Sequence, residues 1–484
     1  MILIHISTEY RQAARSAIET QYRLHELIST ASPDDADLLI DADGNIQWRP
    51  VWKRDQLPLL LPPVAFTENS WLGYLYARLG NYESARQHLG GYDALLRELY
   101  WFEYLMQNTI EQVQADHACR YESLHNQAVA GHYCHHASTG EWFKEALQAA
   151  PGLLYKAFTT CQAVQYLGDL GEEKEALSLL QPMLSETLPE AVRFTLLSLQ
   201  CQLQVASLEV PYDKDDMQAV KQSLWTCLEY YEKSNSPTDI ALLLQDAAYI
   251  AGIENSFSEA LGYINRALEI WQSAEMPELS AEVWLRKGNL LKNWAQTGQS
   301  QFFRPAMEAY QEALKTFTRE TAPSIFSTIQ HQLGIVYSEV PDEVKKKSVW
   351  AAVSVSAFQE ALSFFNKIDF PYQFGVICND LGNAYTRYPV SVHTDNFDKA
   401  LSWYREALDV QPASTNPLER VMTLMNYLDA SWFAANKEAF DEVRFNDMRQ
   451  KAAEVIAISI DPSVKSAAQR HLERLDILKA GFES

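Results

Sequence analysis

Along most of the chain, apolar residues recur in triplets of small, large and small at intervals of four and three. Examples are Ala260, Ile264 and Ala267, then Ala306, Tyr310 and Ala313, then Ala400, Tyr404 and Ala407. That spacing places each triplet on one stripe of an α-helix, where the alanines admit a neighbouring backbone and the larger residue fills the space beside them. A second helical signal precedes each stripe. Pro277, Pro323 and Pro371 stand eleven residues before Gly288, Gly334 and Gly382, and the same offset leads from Pro237 to Ala248 and from Pro417 to Leu428. Proline is tolerated in the first turn of a helix, where its missing N–H has no partner to lose. The small residue about three turns further on marks a close helix–helix approach. The two signals together predict an antiparallel helix pair that buries its apolar face only by stacking on the next pair.

With these residues in place, the chain resembles the tetratricopeptide repeat family. Leu381-Gly382…Tyr385 followed by Ala400…Tyr404…Ala407…Pro412 is the fullest match, alongside Trp284…Gly288…Leu291 with Ala306…Tyr310…Ala313, and Leu333-Gly334…Tyr337. Earlier copies run Leu72-Gly73…Tyr76…Gly80…Ala85…Leu89 and Thr160…Ala163…Leu167…Gly171…Ala176…Leu180. The resemblance implies an all-α, right-handed superhelical solenoid of antiparallel helix pairs with elongated repeats. The expected organisation is a non-repeat capping region at 1–66, a repeat array at 67–460 that is degenerate at 100–150 and 190–235, and a C-terminal capping helix and tail at 461–484. The array would hold about eight or nine pairs.

The family's usual repeat is ~34 residues, and the motif positions here lie farther apart. Gly288 to Ala306 and Gly382 to Ala400 are both eighteen residues, against twelve from Gly73 to Ala85, and Gly334 finds its small partner only at Ser354. Enlarged loops are therefore expected at Thr297–Phe303, Val340–Ser348 and Pro389–Asn396. Insertions at one point of a repeat project from one edge of an array and form a candidate binding surface.

The first residues read differently. Glu9–Ser29 is helical in character, and Leu38–Trp48 predicts a β-hairpin around Asp43-Gly44, a pair suited to a type I′ turn. A calcium loop is excluded, because with Gly44 as the loop glycine its first and last ligand positions are Leu39 and Pro50. Leu57–Pro63 reads as a rigid apolar connector, and the N-terminal Met1-Ile2-Leu3-Ile4-His5 carries no basic leader of a signal peptide.

The formal net charge of −23 argues against general nucleic-acid binding and favours a partner with a basic segment. No run of about eighteen apolar residues predicts a membrane span. Six cysteines without paired spacing read as reduced core residues of a cytoplasmic protein. No phosphate loop or serine nucleophile elbow is present, so no enzyme is expected and no cofactor. The one cluster with metal-ligand chemistry is the stretch 117–136, with His117, Cys119, His125, His132, Cys134, His135 and His136. It lacks a matched second pair, although His132 and His136 would share a helix face.

The resemblance also implies where a partner would sit. In the family, the first helices line the concave groove, and residues around the motif glycine face the ligand. Those positions here are Arg286, Asn289, Asn293, His331, Asn379, Asn383 and Arg387. An asparagine amide both donates to and accepts from a peptide backbone. Arginine pairs with a carboxylate. The asparagines have a second reading, bonding to the neighbouring repeat. The function expected is a non-enzymatic scaffold or adaptor that holds a protein segment. A peptide-sensing regulatory receptor and a metal-dependent protein centred on 117–136 are the alternatives.

Overall fold

The computed structural model describes residues 1–52, 57–107, 120–208, 212–390, 395–434 and 441–483. The chain divides into two units, Met1–Ser234 and Asn235–Ser484.

The first unit opens with a small sheet. Its strands are β1 (Ile2–Ile6), β2 (Ile28–Thr30), β3 (Leu38–Ile40), β4 (Asn45–Trp48) and β5 (Val64–Ala65), with helix α1 (Arg11–Glu19) between β1 and β2. The strand order is β2-β1-β3-β4-β5. β1 pairs in parallel with both β2 and β3, while β3–β4 and β4–β5 are antiparallel. Alternation explains β1, since Ile2, Ile4 and Ile6 are buried and Leu3 and His5 face outward. The predicted hairpin is present as β3–β4, with Leu38 opposite Trp48 and Ile40 opposite Ile46. Its turn differs from the expected two-residue type I′. Asp41 and Asn45 close a three-residue loop, Gly44 takes φ +80°, and Asp41 Oδ1 accepts from the Asn45 N–H. A type I turn ending in a left-handed glycine needs one residue more than type I′, which moves the closing pair outward.

Leu57–Pro63 is more than a connector. Leu59, Leu60 and Leu61 are fully buried in the core shared by the sheet and the first helices. A buried extended segment must satisfy its carbonyls. Trp48 Nε1 donates to the Leu59 carbonyl, Asn126 brackets Leu60 from both sides, and the Tyr74 hydroxyl donates to the Pro62 carbonyl.

Helices fill the rest of this unit: α2 (Glu68–Arg78), α3 (Tyr82–Leu89), α4 (Asp93–Gln107), α5 (Tyr121–Tyr133), α6 (Thr139–Ala149), α7 (Leu153–Asp169), α8 (Glu173–Leu184), α9 (Glu190–Ala206) and α10 (Lys214–Lys233). Arg78, at the end of α2, lies over the Trp48 ring at 4.2 Å and donates from Nη2 to the Asp37 and Arg49 carbonyls. Burial pulls its pKa down to about 10, with Asp37 opposing.

The second unit is helical throughout its described residues: α11 (Pro237–Ile253), α12 (Phe257–Ser273), α13 (Pro277–Gln296), α14 (Phe303–Ala313), α15 (Pro323–Glu339), α16 (Val344–Phe364), α17 (Pro371–Arg387), α18 (Asn396–Asp409), α19 (Pro417–Ser431), α20 (Glu442–Ile458) and α21 (Pro462–Glu483). Pro237, Pro277, Pro323, Pro371 and Pro417 each open a first helix of a pair, as the sequence predicts. The packing partners of the small residues are equally direct. A Cβ on Gly288 would lie 2.6 Å from the Tyr310 ring, one on Gly334 2.8 Å from the Phe358 ring, and one on Gly382 would collide with the Tyr404 ring. Ser354 stands where the third pair needs its small residue, buried, with Oγ donating to the Gly334 carbonyl at 2.5 Å.

One of the three enlarged loops is shorter than expected. The segment between α13 and α14 spans 297–302 and holds a 3-10 turn at Ser300–Phe302, whereas α16 already begins at Val344, so the Val340–Ser348 loop shrinks to Val340–Glu343. The extra length goes into helix because the extension is anchored by packing, with Trp350 stacked on Tyr337 at 5.7 Å. Pro389–Asn396 lies partly outside the described residues.

Candidate functional site

The residues expected to face a partner all lie on the first helices α13, α15 and α17, which are neighbours in that order and continue to α19. They fall into three groups.

Asn289 and Asn383 belong to the packing of their own helix pair. Asn289 Oδ1 accepts from the Tyr310 hydroxyl at 2.7 Å, and Asn383 Oδ1 accepts from the Tyr404 hydroxyl at 2.8 Å. Both tyrosines are pushed up in pKa by burial, so each hydroxyl keeps its proton and donates. Each of these tyrosine rings also packs on the glycine just before its asparagine. The pair between them supplies the control. There Gly334 is followed by Ile335, and the packed ring is Phe358, which has no hydroxyl to satisfy.

His331, Asn379 and Arg387 tie successive first helices together. His331 Nε2 lies 2.8 Å from Asp380 Oδ2, and Asn379 Oδ1 accepts from Asn426 Nδ2 at 3.0 Å. Arg387 Nη1 pairs with Glu339 Oε1 at 2.8 Å, and Gln296 Nε2 donates to the other oxygen of the same carboxylate at 2.9 Å. Lys292, which the sequence reading missed, joins this row by donating to Gln332 Oε1 at 2.7 Å. Its burial lowers its pKa, against the pull of Asp380 and Glu339. A lysine one position before a predicted site residue was the available signal. Its cross-helix partner, forty residues away, was not.

Arg286 and Asn293 are exposed on α13, and among the described residues Arg286 pairs only with Glu282 one turn back, at 2.7 Å. Ahead of the polar row, the same helices expose apolar side chains. Ile325 is seven residues before Gln332, Tyr372 seven before Asn379, and Met422 four before Asn426, so each shares a face with a row residue. Their exposures are 37%, 47% and 54%, and Leu418 on α19 reaches 67%.

The histidine-rich stretch does not assemble. His117 and Cys119 lie outside the described residues. His125 is buried between the Thr159 hydroxyl and the Pro58 carbonyl, and burial takes its pKa down to about 4. His132 and His136 do not share a helix face, because α5 ends at Tyr133 and His135 turns the chain with φ +53°. His132 contacts Asp169, while His136 stacks on Trp142. Among the described residues no group of three His, Cys, Asp or Glu side chains could hold a metal ion.

Two cavities stand out. One of about 660 Å³ in the first unit has aromatic walls including Trp48, Trp52, Phe102 and Phe158. Among its described lining residues the one charged group is Arg78, already committed to two carbonyls. The other, about 640 Å³, lies where α13, α15 and α17 end, beside the enlarged loops.

No protein-family model matches the chain, and no curated protein sequence matches it. Solved structures do. The human IFIT1 dimer with m7Gppp-AAAA is similar at a TM-score of 0.50 and 13% identity, over 85% of this chain and 81% of that one. Yeast Tom70 matches at a TM-score of 0.40 and 10% identity, over 86% and 82% of the two chains. The chain has the fold of tetratricopeptide-like helical-repeat proteins, preceded by a small strand region.

Proposed function

We propose that the chain is a non-enzymatic protein-interaction scaffold that holds a partner segment across the first helices α13, α15, α17 and α19. The observation that carries this reading is the exposed apolar strip Ile325, Tyr372, Leu418 and Met422 lying beside a continuous polar row. Apolar side chains exposed near the starts of successive first helices suit the apolar positions of a partner segment, and the row further along them supplies polar contacts. Within the row, Asn293 and Arg286 are the accessible groups for a peptide backbone or carboxylate. His331, Asn379 and Arg387 set its geometry, and Asn289 and Asn383 act through the packed tyrosines. A cytoplasmic location fits cysteines such as Cys134 and Cys378, which form no disulfide. Among the described residues no helix is long and apolar enough to cross a membrane.

Quantitative affinity capture from native lysate tests the proposal, comparing wild type with a Tyr372→Glu/Met422→Glu variant. Both positions are exposed, so the fold is expected to survive. Partners lost from the variant support the reading, and an identical set of partners overturns it.

A further inference from the structure

The cavity at the ends of α13, α15 and α17 has a chemistry that the chain as a whole does not. Its lining includes Gln296, Glu339, Lys347, Trp350, Arg387 and Tyr388. Glu339 is saturated, one oxygen held by Arg387 and the other by Gln296. Asp342 beside it is equally committed, to the Glu343 N–H at 2.9 Å, Trp350 Nε1 at 3.2 Å, Arg304 at 3.3 Å and Lys346 at 3.6 Å. Lys347 is exposed and has no ion-pair partner among the described residues.

The position of that lysine is itself unusual. Lys345-Lys346-Lys347 is the one run of three basic residues in a chain of net charge −23, and it occupies the first turn of α16. Cations belong at helix C-termini, and at an N-terminus they oppose the helix dipole. This first turn contains no acidic residue, and Glu343 at its N-cap makes no side-chain capping bond. Asp342 compensates Lys346 at 3.6 Å but leaves Lys347 without an ion pair among the described residues, and a local rule left broken is characteristic of functional positions. The basic rim surrounds an apolar wall, where Trp350 stacks on Tyr337 at 5.7 Å. The volume lies within the range of sites that enclose a ligand of several apolar groups.

We propose that this cavity is a second docking site, which takes an acidic segment of a partner protein. An aromatic or aliphatic side chain of that segment enters beside Trp350, and an adjacent carboxylate meets Lys347 and Arg387. The overall negative charge does not prevent this, because exposed charges beyond about 8 Å are screened at physiological salt. The inference rests on the scaffold reading of the array; it shares Arg387 with the polar row but none of the apolar strip on α15, α17 and α19.

A random peptide library displayed on phage, selected against the full chain, tests it. The enriched peptides are expected to be net acidic with an aromatic or leucine anchor. Their synthetic counterparts should bind Lys347→Glu about tenfold or more weakly than wild type. Lys347→Glu places an acidic residue in the first turn of α16, so its melting temperature is expected to equal or exceed that of wild type. The Tyr372→Glu/Met422→Glu variant should bind these peptides as wild type does. Absence of enrichment, enrichment of neutral or basic peptides, or equal affinity for Lys347→Glu overturns the proposal. Peptides that lose affinity for the strip variant alone support the first-helix surface and remove this one. A fluorescein-labelled oligoadenylate that binds through Lys347 where acidic peptides do not would reassign the cavity to nucleic acid.

Discussion

The pair α15–α16 and the pair α17–α18 solve one packing problem with different residues. In both, a glycine on the first helix lets a large ring from the second helix lie against its backbone, Phe358 on Gly334 and Tyr404 on Gly382. The difference lies one residue on. Behind Phe358 the residue is Ile335, and behind Tyr404 it is Asn383, whose oxygen takes the tyrosine hydroxyl at 2.8 Å. The pair α13–α14 repeats the second solution with Gly288, Asn289 and Tyr310. Asparagine thus follows the glycine in the two pairs whose ring carries a hydroxyl. An asparagine that looked like a peptide-binding group is accounted for by a buried donor that needs an acceptor.

The largest test of this comparison is steric. Gly382→Ala is expected to cost about 3 kcal/mol and Gly334→Ala about 2 kcal/mol in urea unfolding of the full chain, because a ring wedged between helices cannot swing aside. Equal and negligible losses would break the comparison at its shared step. Next comes the acceptor. Asn383→Ala leaves the Tyr404 hydroxyl without its partner and should cost about 2 kcal/mol. Tyr404→Phe removes the hydroxyl while keeping the ring, so it should cost about 1 kcal/mol, with faster amide exchange confined to α17 and α18. The smallest effect is expected from grafting one solution onto the other. Ile335→Asn combined with Phe358→Tyr should stay within about 1 kcal/mol of wild type, whereas Ile335→Asn alone inserts an amide with no hydroxyl to meet.

What the sequence disclosed follows from the range of each interaction. The opening prolines, the small residues and the stripes are local signals, and all five first-helix prolines fall at helix starts. The hairpin was legible for the same reason. β1 is hard to read from sequence although Ile2, Ile4 and Ile6 alternate, because its neighbours β2 and β3 are parallel partners more than twenty residues away. The burial of the connector Leu57–Pro63 is not legible locally, because the groups that satisfy its buried carbonyls, such as Trp48 and Asn126, come from other elements. The candidate site was half legible. The first-helix face could be named from helical spacing, but contacts such as His331 with Asp380 depend on register between helices. The expectation of a basic partner segment came from net charge, which averages away the lysine run at α16.

The central claim is that Asn383 is present for Tyr404. A double-mutant cycle on the full chain, with Asn383→Ile, Tyr404→Phe and both together, measures it directly. The account predicts a coupling energy of about 1–3 kcal/mol, with the double variant more stable than Asn383→Ile alone. Additivity within about 0.5 kcal/mol would show that the two residues act independently and would return Asn383 to the candidate binding groups.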